Sequence, residues 1–456
     1  MDQTNNRCGM PSPYPKTSGV DSMISNAFLG LCSLYLQQED TTKQRIISRP
    51  SGPQLEKIRL RATPGTARSI EDILADAEEI FSYGYKVGHP RFFSCIPSPA
   101  SPLSWLGDAL TSAFNPFGGS WDAASGVCTV EASLIEWIAD RFGLPPSAGG
   151  QFVSGASMAN LTAMTVARDQ MLQDETRSKG VVYISSQAHF CIAKGLRIIG
   201  LSEKQIRTID CDESFQMDLA KLSLAISKDR QSDFQPFLIV ATCGTTSTGS
   251  IDPLKKIAEI AKEHRMWMHV DAAYGGSAAF SHPYRARIDG LGLADSIAWD
   301  AHKWLFQTHG CAAVFFRKKS HPLRSFATSG HYVQDVEDIE FMRDPWNYGI
   351  ELTRPARHMR LWFSLQLLGT DMLSQMVSHG IELAAYAEAQ LRKREGWEVI
   401  SSSGLAILTF RFVPNNIDTV DVDSINTLIS KEILARNVAA IFTVTLEGKI
   451  CLHNRG

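Results

Sequence analysis

Two stretches of this chain hold residues whose types and spacing could support covalent chemistry. In SIAWDAHKWLF, Ser296 to Phe306, one primary amine, Lys303, follows a short apolar run and stands between His302 and Trp304, with Asp300 nearby. A lysine is a nucleophile only as its neutral amine, which partial desolvation and neighbouring cations favour. Such an amine can form an imine with an aldehyde. Read alone, Lys303 is an ordinary surface lysine. The second stretch, HVDAAYGG, His269 to Gly276, changes that reading. Met268, Val270 and the two alanines read as a buried strand ending in a carboxylate, Asp271. A buried carboxylate without a cationic partner is costly. The pyridinium nitrogen of pyridoxal phosphate would be such a partner, and an acid beside it keeps the ring protonated as an electron sink. Ala272 and Ala273 are small enough for a flat ring to lie against the backbone.

These side chains need elements to hold them. Asp271 and Lys303 lie 32 positions apart, which suits neighbouring parallel strands joined by one crossover. Upstream, Phe152 and Val153 run into SGASMANLTAM, which reads as strand, tight turn and helix start. Small residues there let an anion approach the free N–H groups and the helix dipole, although many helix starts look alike and bind nothing. Val181 to Ser185 is an apolar strand leading to SSQAHF, where a lone His189 would by itself be structural. Phe237 to Ala241 is a β-branched strand followed by TCGTTSTGSIDP. The hydroxyls of Thr245 and Thr246 fall where the carboxyl end of a strand opens, the usual ligand position in open α/β sheets. Without its neighbours this stretch would read as a polar turn. A helix over Pro253 to His264, a strand over Met266 to Val270 and a strand over Cys311 to Phe316 complete the pattern.

Outside that region, helical spacing predicts amphipathic segments over Asp21 to Gln38, from Ser69 onward, and over Thr129 to Arg141. HPRFFSCIPSP and AFNPFGG place Phe92, Phe93, Phe114 and Phe117 on loops, where an aromatic is more often a core anchor than a ligand contact. Lys318 to Pro345 has weak periodicity and carries Tyr332; long irregular segments in compact enzymes are often lids. From Met372 the pattern becomes helix (374–392), strand (406–412), helix (423–436) and strand (439–445), a small α+β lobe.

At 456 residues the chain exceeds what one core normally organises, so several lobes are expected. Hydrophobic content of 44% and charged content of 20% are those of a globular protein, and a net charge of -3 argues against nucleic-acid or membrane-surface partners. Nine cysteines are scattered without a CxxC pair or zinc-ligand spacing, which predicts reduced thiols, no metal and a cytoplasmic setting. No secretory leader or spanning run is read.

Taken together, HVDAAYGG, DAHKWLFQTHGCA, SGASMANLTAM, SSQAHF and ELTRPAR resemble the group II pyridoxal-phosphate-dependent amino-acid decarboxylases related to aromatic-L-amino-acid decarboxylase. The tryptophan decarboxylases are the nearest match by eye. The resemblance implies an α/β fold of the PLP-dependent transferase type (fold type I), with a mostly parallel seven-stranded sheet. It also implies a division into a disordered tail (1–20), an N-terminal helical arm (21–88), a large cofactor domain (89–370) and a small α+β domain (371–456). The arm suits a homodimer with its active site at the subunit interface, although packing on its own subunit fits equally well. GKICLHNRG ends the chain where relatives continue, which reads as a shortened small lobe.

Residue by residue, the resemblance implies that Lys303 carries the cofactor, Asp271 faces its ring nitrogen, and His189 stacks on the ring. Ala156 and Ser157, with Asn160, would meet the phosphate; Thr245, Thr246, Ala273, Asp300 and His302 would complete the cofactor site. Thr353 would reach the phosphate of the partner subunit, and Tyr332 would protonate the substrate carbon. Phe92, Phe117 and Trp346 would wall the substrate pocket, with Phe117 standing where some relatives carry His in NPHGG. Arg354, Arg357 and Arg360 are expected to pair with structural carboxylates. The implied reaction is decarboxylation of an aromatic L-amino acid, tryptophan to tryptamine first. Other aromatic substrates, an acidic-substrate decarboxylase, an aldehyde synthase (which would carry Phe at the Tyr332 position) and an inactive shortened relative are the alternatives.

Overall fold

The computed structural model describes residues 25–33, 44–63, 65–94, 98–327, 344–415 and 421–455. They fall into two units, Met1–Phe92 with Ile433–Ala440 and Phe93–Glu432 with Ile441–Gly456. Tyr332 lies outside the described residues.

In the first unit, residues 25–33 are helical within the segment where the periodicity predicts a helix. Ser69 opens the helix Ile70–Ser82 by accepting a hydrogen bond from the Asp72 N–H at 3.1 Å, as its spacing from Asp72 predicts. The preceding helix, Gly52–Ala62, is not evident from periodicity, and none of its residues is buried. Leu55, Leu60, Ile73, Ile80 and Phe81 all stay exposed in this unit.

The second unit is organised on a seven-stranded sheet. Its strands are β1 (Gly149–Val153), β2 (Gly180–Ser185), β3 (Ile206–Ile209), β4 (Gln235–Thr242), β5 (Trp267–Asp271), β6 (Ser296–Asp300) and β7 (Ala312–Phe316), in the spatial order β1-β7-β6-β5-β4-β2-β3. The run from β6 through β5, β4 and β2 to β3 is parallel; β7 is antiparallel to both β6 and β1. Strands β2, β5, β6 and β7 are buried along their whole length, which is why they read as continuous apolar runs rather than alternating ones. The mostly parallel seven-stranded sheet is therefore present as expected.

Three helices matter for the site. α1 (Ser125–Arg141) packs against β1, α2 (Ala156–Met171) lies across β6 and β7, and α3 (Phe190–Ile198) packs on α2. α2 buries Ala156, Ala159, Ala163 and Ala167, small side chains that let its axis come close to the sheet. The crossover from β5 to β6 is built from short 3-10 turns, Gly275–Phe280, Arg285–Ile288 and Leu291–Leu293.

The C-terminal lobe is a four-stranded antiparallel sheet of β8 (Trp397–Ser401), β9 (Ile407–Phe412), β10 (Phe442–Leu446) and β11 (Lys449–Arg455), in the order β8-β9-β11-β10. The terminal stretch GKICLHNRG, for which no strand is expected, supplies an interior strand, with Cys451 and Leu452 fully buried. The long helix Met359–Leu391 leads into this lobe. It begins well before the expected position and is interrupted at Gly369, whose φ of 70° lies in the left-handed region.

Candidate active site

Asp271 ends β5 and Asp300 ends β6; the pairing of Asp271 with Ala298 puts these carboxyl ends side by side. Both acids face one cavity of about 580 Å³ whose lining also includes Lys303, His302, His189, Thr246, Ala273 and the turn Ser154–Ser157. That volume is in the range of small-molecule sites, roughly 300–1,000 Å³. The amine and the acid found far apart in the sequence therefore share a single hollow at the carboxyl edge of the sheet.

Asp300 is the clamp of this site. Its side chain, 1% exposed, accepts the His302 N–H at 3.0 Å through Oδ1 and the Ala156 N–H at 3.1 Å through Oδ2. One carboxylate thereby fixes the start of α2 relative to the four-residue helix Ala301–Trp304 that bears Lys303. His302 Nδ1 stands 2.7 Å from Asp300 Oδ1, so the same acid also orients that ring. Behind Lys303, Trp304 stacks on Tyr274 with ring centroids 4.8 Å apart and planes only 7° from parallel.

The opposite wall depends on a close backbone approach. Gly244 has φ +93°, and a Cβ there would sit 3.0 Å from the Gly275 nitrogen and from Leu405. A Cβ on Gly275 would meet the Cys243 carbonyl oxygen at 2.3 Å. Glycine at both positions lets the segments after β4 and β5 touch, which brings Thr246 and Ala273 to the same cavity.

Asp271 is 5% exposed and accepts the Asn160 Nδ2–H at 3.1 Å and the Ala273 N–H at 3.1 Å. Among the described residues these donors are neutral and Asp271 makes no ion pair. A buried carboxylate supplied only with neutral donors at a cavity wall is matched to a cationic N–H within that cavity. His189, which begins α3, accepts the Cys191 N–H on Nδ1 at 3.2 Å. Cys191 itself lines the cavity, and burial pushes its thiol up to about 11, so it stays protonated.

The other expected site residues are distributed differently. Thr245 is fully buried, but its hydroxyl pairs with that of Thr248 at 2.6 Å and accepts the Ser250 N–H at 3.1 Å; it is not among the residues lining the cavity. Ala156 lines the cavity, yet its N–H is committed to Asp300, and the Met158 and Ala159 N–H groups are committed to the Gly155 carbonyl at 2.9 and 3.0 Å. Asn160 is buried behind Asp271. Phe117 and Trp346 pack on each other at 6.0 Å, and the backbone N–H of Trp346 donates to the Gly119 carbonyl at 3.1 Å, but neither residue lines the cavity around Lys303. Thr353 is exposed. Phe92 belongs to the first unit, its ring 5.8 Å from that of Tyr85. Arg354, Arg357 and Arg360 pair with Glu131, Glu351 and Asp108, the structural carboxylates expected for them.

Several lining residues escape sequence reasoning: Ser154, Thr242, Gly244, Tyr274, His309 and Gly310. Thr242 is notable because its buried hydroxyl finds no hydrogen-bond partner among the described residues. It is the last residue of β4, a position recoverable from the strand end but not from a motif.

A fold of this topology, with an amine and an acid at the carboxyl ends of adjacent strands and a small-residue helix start opposite, defines a carbonyl-cofactor enzyme of the PLP-dependent transferase type. Residues 54–413 match the family model described as the pyridoxal-dependent decarboxylase conserved domain. The chain is 36% identical over 376 residues to an aromatic-L-amino-acid decarboxylase of Bacillus atrophaeus, covering 82% of this chain and 78% of that protein. It is 33% identical over 341 residues to tryptophan decarboxylase 2 of Oryza sativa subsp. japonica, covering 72% and 69% respectively. The solved structure of Oryza sativa TDC with PLP and tryptamine superposes with a TM-score of 0.90 at 25% identity, over 98% of this chain and 94% of that one. The protein belongs to the pyridoxal-dependent decarboxylase family; its cofactor is pyridoxal 5'-phosphate and it is a carboxy-lyase. Among the described residues no helix is long and apolar enough to cross a membrane.

Proposed function

We propose that this protein decarboxylates an aromatic L-amino acid, with tryptophan the first candidate, releasing tryptamine and CO2. The observation that carries the reading is the shared cavity of Lys303 and Asp271, joined to the relatedness with aromatic-amino-acid decarboxylases. Phe117 and Trp346, which pair outside the cavity around Lys303, would favour an aromatic side chain over an acidic one where a partner subunit brings that face to the neighbouring site.

Bound in this cavity, pyridoxal phosphate supplies an electron sink for the pair released when the Cα–carboxylate bond breaks. Lys303 Nζ is the amine that would hold the aldehyde and release it to the amino group of the incoming substrate. Asp271 keeps the ring nitrogen protonated. Ser157 and Thr246 would hold the phosphate, while Ala273 would leave room for the ring and His189 would stack on it. Asp300 and His302 hold the lysine segment in place. Tyr332 returns a proton to Cα, with His189 as relay. The exposed position of Thr353 and the apolar surface of the first unit are consistent with a homodimer in which each subunit completes the other's site. The test is a panel of tryptophan, 5-hydroxytryptophan, DOPA, tyrosine, phenylalanine, glutamate and cysteine sulfinate, with products read by mass spectrometry. Turnover of only the acidic substrates would overturn the aromatic reading.

A further inference from the structure

His269 opens the HVDAAYGG stretch with no role in the tethering or proton steps above, yet it is fully buried in β5 two residues before Asp271. Its Nε2 lies 2.8 Å from Asn160 Oδ1, and its Nδ1 lies 2.9 Å from Ser296 Oγ and, farther off, 3.2 Å from the Ser296 carbonyl oxygen. Trp267 Nε1 in turn reaches Ser296 Oγ at 2.8 Å. With the Asn160–Asp271 bond this makes one continuous chain, Trp267–Ser296–His269–Asn160–Asp271, of which only the last member faces the cavity.

The donor and acceptor roles along this chain follow from the chemistry of its two ends. An ionised Asp271 can only accept, so Asn160 presents Nδ2 to it and Oδ1 to His269. His269 Nε2 must then carry the hydrogen. Burial pushes this imidazole down to about 4, so near neutrality it holds a single proton and Nδ1 is left as an acceptor. Ser296 fills that acceptor with its hydroxyl hydrogen, and the Trp267 N–H, a donor only, supplies the serine oxygen. The second Nδ2 hydrogen of Asn160 faces Cys191 Sγ at 3.6 Å. Every hydrogen bond in the chain points toward Asp271.

An Asn amide is nearly symmetric in shape, so nothing but its partners decides which end faces Asp271. An amide turned over would set oxygen against oxygen, an arrangement tolerable only if Asp271 takes up a proton. An acid that holds its own proton no longer keeps a neighbouring ring nitrogen protonated. We propose that His269 is a positioning residue for this reaction: by donating to Asn160 it locks the amide in the orientation that keeps Asp271 an acceptor, and so sets the protonation of the cofactor ring. This inference rests on Asp271 facing the ring nitrogen and is independent of which amino acid is decarboxylated.

The test uses the full-length protein stripped of cofactor. Dissociation constants are measured for pyridoxal phosphate and for its analogue with C–H in place of the ring nitrogen. His269→Leu should weaken pyridoxal phosphate about tenfold, the scale of one hydrogen bond to a charged group, and leave the analogue within about twofold. His269→Gln, whose amide can still donate to Asn160, should recover most of the loss. Ser296→Ala, a smaller change in volume, should show the same selectivity with a smaller effect, and keeps the test open if His269→Leu does not fold. In an Asp271→Ala background His269→Leu should cause no additional selective loss. Equal weakening of both ligands would mean a purely structural histidine and would overturn the proposal. So would wild-type selectivity in His269→Leu and Ser296→Ala while Asp271→Ala loses it. If Asp271→Ala itself keeps wild-type selectivity, the placement of Asp271 fails first and the proposal falls with it.

Discussion

Replacing Arg354 alone should destabilise the protein more than replacing Arg354 and Glu131 together. The guanidinium is 3% exposed and engages the carboxylate of Glu131 with both nitrogens, Nη1 to Oε2 at 3.0 Å and Nη2 to Oε1 at 2.5 Å. It also donates to the carbonyls of Gly118 at 3.1 Å and Phe152 at 2.8 Å, while Glu131 accepts the Phe152 N–H at 2.7 Å. The pair thus joins α1, β1 and the Phe117 loop. Burial is the largest single influence on Glu131 and opposes its ionisation, but the charges of Arg354 and His358 with the hydrogen bonds from Arg354 and the Phe152 N–H together outweigh it and hold the carboxyl below the 4.5 of an ordinary glutamate. Breaking such a pair from one side strands a buried charge and costs about 3–5 kcal/mol, whereas an apolar pair of similar volume is often nearly neutral. Arg354→Met and Glu131→Leu should each fall in that range. The double variant should be no worse than either, a coupling of about 3 kcal/mol or more. Urea unfolding of the cofactor-free protein measures all three, with the slope checked for constancy. Because the folded-state value of Glu131 is depressed, its contribution is complete above pH 4.5 and fades as pH falls through the lowered value. The gap between the native chain and the double variant should therefore be pH-independent near neutrality and change only below pH 4.5. Additive single effects, or singles costing less than about 1 kcal/mol as exposed pairs do, would refute the reasoning.

Three further outcomes follow from the proposed site. Lys303→Ala should eliminate turnover and the covalent label left by borohydride reduction in the presence of cofactor, as read by intact mass. Tyr332→Phe should shift the product from amine toward aldehyde and ammonia, which a coupled aldehyde assay detects; unchanged amine output removes that tyrosine from the proton step. With the Phe117–Trp346 pair walling a pocket that the partner subunit completes, Trp346→Ala should lower kcat/KM for tryptophan about tenfold or more while touching smaller substrates less, since burial of an aromatic against a pocket wall is worth about 1.5–3 kcal/mol; an unchanged ratio removes Trp346 from the pocket.

Much of this arrangement is legible in the sequence, because the strands carrying it are buried on both faces and announce themselves as apolar runs. Asp271 and Lys303 were placeable for that reason: each follows such a run, and a parallel pairing of the two runs leaves the acid and the amine side by side. The antiparallel β7 was not readable in orientation, since Ala312–Phe316 is as uniformly apolar as its parallel neighbours. The crossover between β5 and β6 carries no helical periodicity because it is made of 3-10 turns. Thr245 and Thr246 are adjacent hydroxyls in sequence, and only the turn closed by Ser250 decides that the first faces inward to Thr248 while the second reaches the cavity. His269 was in plain view within a quoted motif, but its partners Asn160 and Ser296 come from α2 and β6, so its connection needed three dimensions.

The double grip of Asp300 has a consequence for which molecules the site accepts. A single rigid carboxylate sets the distance between the helix start and the segment bearing the amine, so the two cannot drift apart to suit a longer guest or close on a shorter one. On the proposed placement of the phosphate, the hollow would behave as a gauge with a fixed jaw: a vitamer would have to span from the phosphate end to the amine in one length. Pyridoxal without its phosphate would engage one jaw only and wander. Selectivity among vitamers would then arise from the backbone spacing that Asp300 enforces as much as from any contact a side chain makes.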